Sequence, residues 1–219
     1  MARRGSYAKG VAKRGEILDA ALEVIGRDGY SRATVREIAD AVGLSQNGLL
    51  HHFGSKERLF VEVLRHRDEL DRLAYGEGAG QRPDIAESLV RLVRHNARVP
   101  GLVQLYSRFS AEAAEEGHPA HGFFQERYAT ARGIIAEAIR SLQEEGRLPP
   151  GHDADRLAVL GVALMDGLQA QWAYDSGVDM AGHLAHFLDL VGLRSAARNP
   201  AGEDPDAGDP ADEDPPAGG

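Results

Sequence analysis

Residues 34–59 read TVREIADAVGLSQNGLLHHFGSKERL, and the tight corner at their centre constrains the fold more than any other stretch. Thr34 is a good N-cap, and Glu37 three residues on completes a capping box. Ile38, Ala39 and Val42 then form a short apolar face before Gly43 permits a sharp turn. Leu44 is expected to plug the corner. Ser45 caps a second helix of about two turns, Gln46 to Phe53, with Leu49 and Phe53 facing inward at i, i+4. Its outer face carries Gln46, Asn47, His51 and His52, which are donors and acceptors rather than an apolar stripe. Two short helices meeting at a corner, with amides at the front of the second, suit insertion into the major groove of DNA.

At these residues the chain resembles the TetR family of transcriptional regulators. The matching pattern runs through Thr34, Ile38-Ala39, Gly43-Leu44-Ser45, Leu49 and Phe53 to Ser55-Lys56-Glu57-Arg58-Leu59. It extends upstream through Gly29-Tyr30 and the segment Arg14 to Ala21. A bare helix-turn-helix pattern is weak, whereas this extended one is specific. Leu50 departs from it: the family usually has Tyr there, so one common phosphate contact is expected to be missing, with His51 and His52 as replacements. The resemblance implies an all-α chain with an N-terminal three-helix head and a C-terminal helical domain for ligand binding and dimerisation. It further implies a repressor released from a palindromic operator by an amphipathic or aromatic small-molecule inducer.

The net charge of −9 looks wrong for a DNA binder until it is divided along the chain. Residues 1–66 carry 11 Lys and Arg against 8 Asp and Glu, whereas 67–195 carry 13 against 19 and 196–219 carry 1 against 7. Basic charge therefore sits with the helix-turn-helix. Cysteine is absent, which excludes a disulfide framework, a thiolate metal site and a cysteine nucleophile. No long apolar run suggests a membrane span and the N-terminus lacks a signal-peptide core, so a cytoplasmic protein is expected.

Residues 1–10 read as a flexible basic arm in which Arg3 and Arg4 can reach a minor groove, and 11–75 as the DNA-binding domain. Its first helix is expected over Val11 to Arg27, and Ser55 is expected to cap a fourth that runs toward Leu73. The Gly-rich break at Gly76–Gly80 opens a helical domain over 76–198, with Pro83 suited to a helix N1 position and Pro100-Gly101 as an interruption. No strand-like alternation appears, so the class is all-α. Leu157 to Met165 is nine apolar residues in a row, inside a helical pattern. A helix apolar all round must be covered on every side. A two-fold homodimer through the last two helices of each subunit provides that cover, and a monomer with a buried central helix is the alternative. Residues 199–219, rich in Pro, Gly and acid, are expected to be disordered.

For DNA, Lys56 can set its ammonium against a phosphate beside a helix N-terminus, and Thr34, His51 and His52 are further phosphate candidates. Ser45, Gln46, Asn47 and Gly48 form the front of the recognition helix. The amides there suit adenine edges, and Gly48 permits close approach. Arg36 matches a position that contacts base or phosphate in some members of the resembled family. For the inducer, the candidates are large or polar residues on apolar faces: His95, Tyr106, Phe109, Phe123, Tyr128, Met165, Asp166, Gln169 and Trp172, with Tyr174 beside them.

An enzyme is the competing class. His118 and His121, like His183 and His186, stand at i, i+3, yet neither pair has an evident third ligand. No nucleophile turn or phosphate-cradling loop occurs, so neither catalysis, a metal nor another cofactor is expected. An architectural DNA-binding dimer without a ligand is a third reading.

Overall fold

The computed structural model describes residues 2–29, 35–76 and 84–193, and among them every regular element is helical. The head comprises α1 (Ala2–Asp28), α2 (Val35–Ala41), α3 (Gln46–Phe53) and α4 (Lys56–Asp71), which ends in a π-helical turn over Arg72–Gly76. Its core is apolar: Ile17, Ala21 and Ile25 from α1 meet Ile38, Leu49, Leu59 and Val63. Burying such side chains stabilises by about 1.5–3 kcal/mol each before chain entropy is charged against it.

Helix α1 starts at Ala2, so it runs through 2–10, where the sequence suggests an arm. Extending a packed helix needs no new nucleus and adds one hydrogen bond per residue, which explains how a stretch without an apolar face follows the helix behind it. Thr34, Tyr30, Pro83 and the 199–219 tail lie outside the described residues, as do the side chains of Arg3 and Arg4.

The second half contains α5 (Ile85–Asn96), α6 (Pro100–Glu112), α7 (His121–Glu144), α8 (Ala154–Tyr174) and α9 (Met180–Leu190). Asp84 caps α5, accepting from the backbone N–H of Ala86 and Glu87, so the helix begins after that residue and Pro83 is not its first position. Pro100-Gly101 does not interrupt: Pro100 opens α6, where its missing N–H is no loss. Gly101 has a different duty. A Cβ built there would fall 1.9 Å from the carbonyl oxygen of Ile25, so this glycine lets α6 lie directly on α1 and joins the halves.

Helix α7 packs along α8, and α5 along α9, around a second core that includes Ile139, Ala158 and Leu184. This core covers one side of α8 only. Val159 and Leu160 stay 50% and 55% exposed, and Leu190 of α9 is 72% exposed. A single chain therefore does not bury α8 all round, contrary to the monomer alternative.

Candidate DNA interface and ligand cavity

The corner between α2 and α3 is built by backbone geometry. Gly43 adopts φ +67°, and the N–H of Leu44 reaches back 2.8 Å to the carbonyl of Ala39. The Ser45 hydroxyl then accepts from the N–H of Gly48 at 3.1 Å, capping α3. A Cβ at Gly48 would come 3.2 Å from that hydroxyl, so a larger residue here would need the capping serine to give by a few tenths of an ångström. With Leu49 and Phe53 anchored inside, Gln46, Asn47 and His51 are exposed, and Gly48 and His52 half-exposed.

Basic groups brace this face. Lys13 donates to the carbonyl of Val42 at 3.0 Å, and Arg14 donates to the carbonyl of His52 at 3.1 Å while lying 4.5 Å over the Phe53 ring. Lys56 is exposed at the start of α4, its ammonium 5.4 Å from the Phe60 ring. Arg36 is exposed, with Asp40 at a loose 3.8 Å. An exposed pair of that kind yields readily to a phosphate.

Below the head lies a cavity of about 240 Å³, walled by α4, α5, α7 and α8 with Tyr106 of α6. Most of its wall is aliphatic, including Leu89, Leu92, Ile135 and Val162. Its polar groups form two clusters. In the first, Asp166 of α8 accepts from the hydroxyls of Tyr106 at 3.0 Å and Tyr128 at 2.8 Å. Burial raises the pKa of both phenols, so both remain donors at any working pH. Arg127 lies 4.6 Å over the Tyr106 ring and grips Asp68 of α4 through two bonds of 2.8 and 2.9 Å. Burial alone would lower the arginine's pKa, but Asp68, Tyr106 and Asp166 together outweigh it and the guanidinium is held charged.

The second cluster is less well paired. Arg67 is only 8% exposed; its Nη2 donates to the Asn96 amide oxygen. Its Nε forms a loose ion pair with Asp71 at 3.5 Å and has no hydrogen-bond partner among the described residues. Burial lowers the pKa of Arg67 and raises that of Asp71, so desolvation outweighs their attraction. A buried donor left unpaired costs about 1–3 kcal/mol, more when charged.

Four sequence candidates, Tyr106, Met165, Asp166 and Gln169, line this cavity, and Tyr128 braces Asp166. Phe109 and Phe123 do not join them. Both are buried in the core that continues from the head, with Phe109 against Phe60 and Phe123 beneath Arg65, because helical spacing cannot distinguish a wall from a core. Trp172 lines a separate open cleft of about 970 Å³ between α5 and α9. His95 is half-buried outside the wall, and Tyr174 is 96% exposed. Arg67, Asp68, Asp71, Asn96 and Arg127 are wall residues that sequence reasoning misses. The i, i+4 spacing of Arg67 and Asp71 on α4 reads as a surface pair, and nothing in the pattern tells which helix will cover it.

Of the histidine pairs, His118 packs 5.3 Å from Phe109 and accepts from the N–H of Ala120, and His121 donates to the Ala113 carbonyl. His183 donates to the Asp179 carbonyl and His186 is exposed. No described helix is long and apolar enough to cross a membrane.

Residues 17–63 match the family described as bacterial regulatory proteins, tetR family, and 100–191 match the BetI-type transcriptional repressor C-terminal domain. The chain is 30% identical over 183 residues to the HTH-type transcriptional repressor Rv1474c of Mycobacterium tuberculosis, covering 82% of this chain and 91% of that protein. It is 32% identical over 164 residues to the HTH-type transcriptional regulator BetI of Rhizobium meliloti, covering 71% and 75%. A transcriptional regulator of Saccharomonospora viridis, crystallised in complex with choline, superposes with a TM-score of 0.65 at 30% identity, covering 81% of this chain and 95% of that one.

Proposed function

Because the chain belongs to the TetR family of transcriptional regulators, we propose that it represses by holding a palindromic operator and lets go when a small molecule fills the cavity beneath its head. The observation that carries this reading is the double duty of α4. Leu59, Phe60, Val63 and Leu64 of that helix belong to the head's core, while Arg67, Asp68 and Asp71, one to two turns on, line the cavity. A ligand that shifts α4 shifts the recognition helix packed on it. The release it can cause is bounded by its difference in affinity between the two states.

In this reading Gln46 and Asn47 read base edges, and Lys56, His51, His52 and Arg36 hold phosphates. One recognition helix covers about four base pairs, so specificity needs two heads. Pairing through α8 and α9 is supported by the exposed Val159, Leu160 and Leu190, which a second copy would cover. The choline bound by the Saccharomonospora relative makes a small organic cation the first ligand to try. The carboxylate of Asp166, held by two phenol hydroxyls in the wall, is the group such a cation would meet.

Fluorescence anisotropy on the DNA flanking the protein's own gene tests the reading, against a scrambled duplex, at two salt concentrations and with and without choline. The expected result is a preference of at least about a thousandfold, salt-dependent and weakened by ligand. Equal weak binding to both duplexes counts against it.

A further inference from the structure

We infer that Arg127 carries the state of the cavity to α4, and that the hydrogen bond from Tyr106 to Asp166 decides how firmly it does so. This deepens the reading of the cavity as the inducer site, on which it rests, by naming the side chains that stand between a ligand and the head.

Helix α4 packs on α1 and α3, whereas α7 packs along α8. Two ion pairs bridge α4 to α7, and long polar side chains can shift without repacking a core. Arg65 donates to Glu126 at 3.2 Å, an exposed pair that water weakens. Asp68, three residues on, accepts both arms of the Arg127 fork at 2.8 and 2.9 Å. A bidentate pair fixes direction as well as distance, so a sideways shift of the guanidinium loses one of the two bonds. Arg67 crosses to α5 instead, where its partner Asn96 is neutral.

The Arg127 guanidinium also rests 4.6 Å over the Tyr106 ring. That ring is held by its hydroxyl, which donates to one carboxylate oxygen of Asp166 on α8 at 3.0 Å. Tyr128, the residue after Arg127 on α7, donates to the other at 2.8 Å. Asp166 thus fixes Tyr106, Tyr106 supports Arg127, and Arg127 grips α4. Asp166, Tyr106, Arg127 and Asp68 all line the cavity. A ligand donor that takes Asp166 from the Tyr106 hydroxyl frees the ring, and the guanidinium resting on it, without touching α4. The head is then tied less firmly, and binding DNA has to order it at a cost in affinity. Arg127 is a positioning residue for the DNA-reading helix.

A double-variant cycle on operator affinity tests this with no ligand present. Fluorescence anisotropy on the duplex flanking the protein's own gene would compare the native full-length protein, Tyr106→Phe, Asp68→Asn and the two combined. Tyr106→Phe removes a hydroxyl but no charge and keeps the ring beneath Arg127, so coupling to Asp68 has to pass through the arginine. Each single variant should weaken the operator complex about threefold to tenfold. The double variant should be no weaker than the weaker single one, a coupling of about threefold or more. Glu126→Gln, which removes the exposed pair, should stay within about twofold of the native protein. Melting curves on the same samples report that each variant is folded. Single effects that multiply in the double variant, or a Tyr106→Phe protein that binds like the native one, overturn the role of Arg127 and leave the repressor reading standing. If the native protein does not prefer this duplex to a scrambled one, the repressor reading fails and this inference fails with it.

Discussion

Between Ile17 and Leu64 every buried residue among those described is apolar, whereas from Arg67 onward the interior also holds Arg67, Asn96, Ser141 and Gln169. Three of these four line one cavity. The head's core runs on into α6 and α7 with nothing polar buried among the described residues between Ile17 and Leu64, and it presents Gln46 and Asn47 on an apolar frame. The second half keeps charge in its interior at a cost in stability, and that is where a ligand can change the balance. Helix α4 belongs to both halves, its first two turns in the closed core and its last in the cavity wall.

The largest effect is expected at the joint between the two halves. Gly101→Val should cost about 3 kcal/mol or more, because the clash is with the backbone of Ile25 and no rotamer relieves it. Thermal unfolding checks this, and a melting temperature within a degree or two of the native one would mean that the halves do not depend on the contact. Next comes DNA affinity. Gln46→Ala should cost about 1–3 kcal/mol on the operator and relax sequence preference without touching stability. Lys56→Ala should weaken all sequences together and lower the salt slope by about one. Unchanged affinity and preference in Gln46→Ala would mean that the outward face of α3 has been assigned wrongly.

Within the cavity half, Asp68→Asn should cost about 1–2 kcal/mol by removing the counter-charge of Arg127, in a pair that is partly exposed and so only partly desolvated. The same variant should blunt ligand-driven release, measured as the ratio of operator affinities with and without choline. The smallest effect is with pH. Desolvation holds the Asp71 pKa above the ordinary carboxylate value, so the folded state binds that proton more tightly than the unfolded chain. Its contribution to stability is full below the unfolded pKa and is lost as pH rises through the raised folded one. Denaturant midpoints measured from pH 4 upward should carry that loss, and Asp71→Asn should flatten it. Nothing comparable is expected from the head's apolar core.

The same contrast explains how far each half is legible in the amino-acid sequence. The head is legible because its signals are local: a glycine at the corner, a serine with its acceptor three residues from the donor, apolar residues at i, i+4. Pro100 reads as a break because Pro at a helix start and Pro between helices look alike until the neighbour of Gly101 is known. The cavity is legible in part. Asp166 stands out as a carboxylate beside an apolar run, and Tyr106 and Tyr128 as aromatics on inner faces. Arg67 and Asp71 do not stand out, since their burial is set by α5 and α7, which are distant in sequence. Phe109 and Phe123 pass for cavity walls for the same reason: only the helices packed against them decide between wall and core.

In the proposed mechanism, occupancy of the cavity is transmitted through α4 to the spacing of two DNA-reading heads. The chain contains no cysteine, so Ala41→Cys, at an exposed position on α2, takes a single spin label per subunit. Pulsed electron-spin distance measurements would then be made on the protein with operator DNA, and again with choline at a concentration that releases the DNA. One label–label distance is expected on the operator, and a shifted distance with ligand. An unchanged distance while the DNA is released would contradict it.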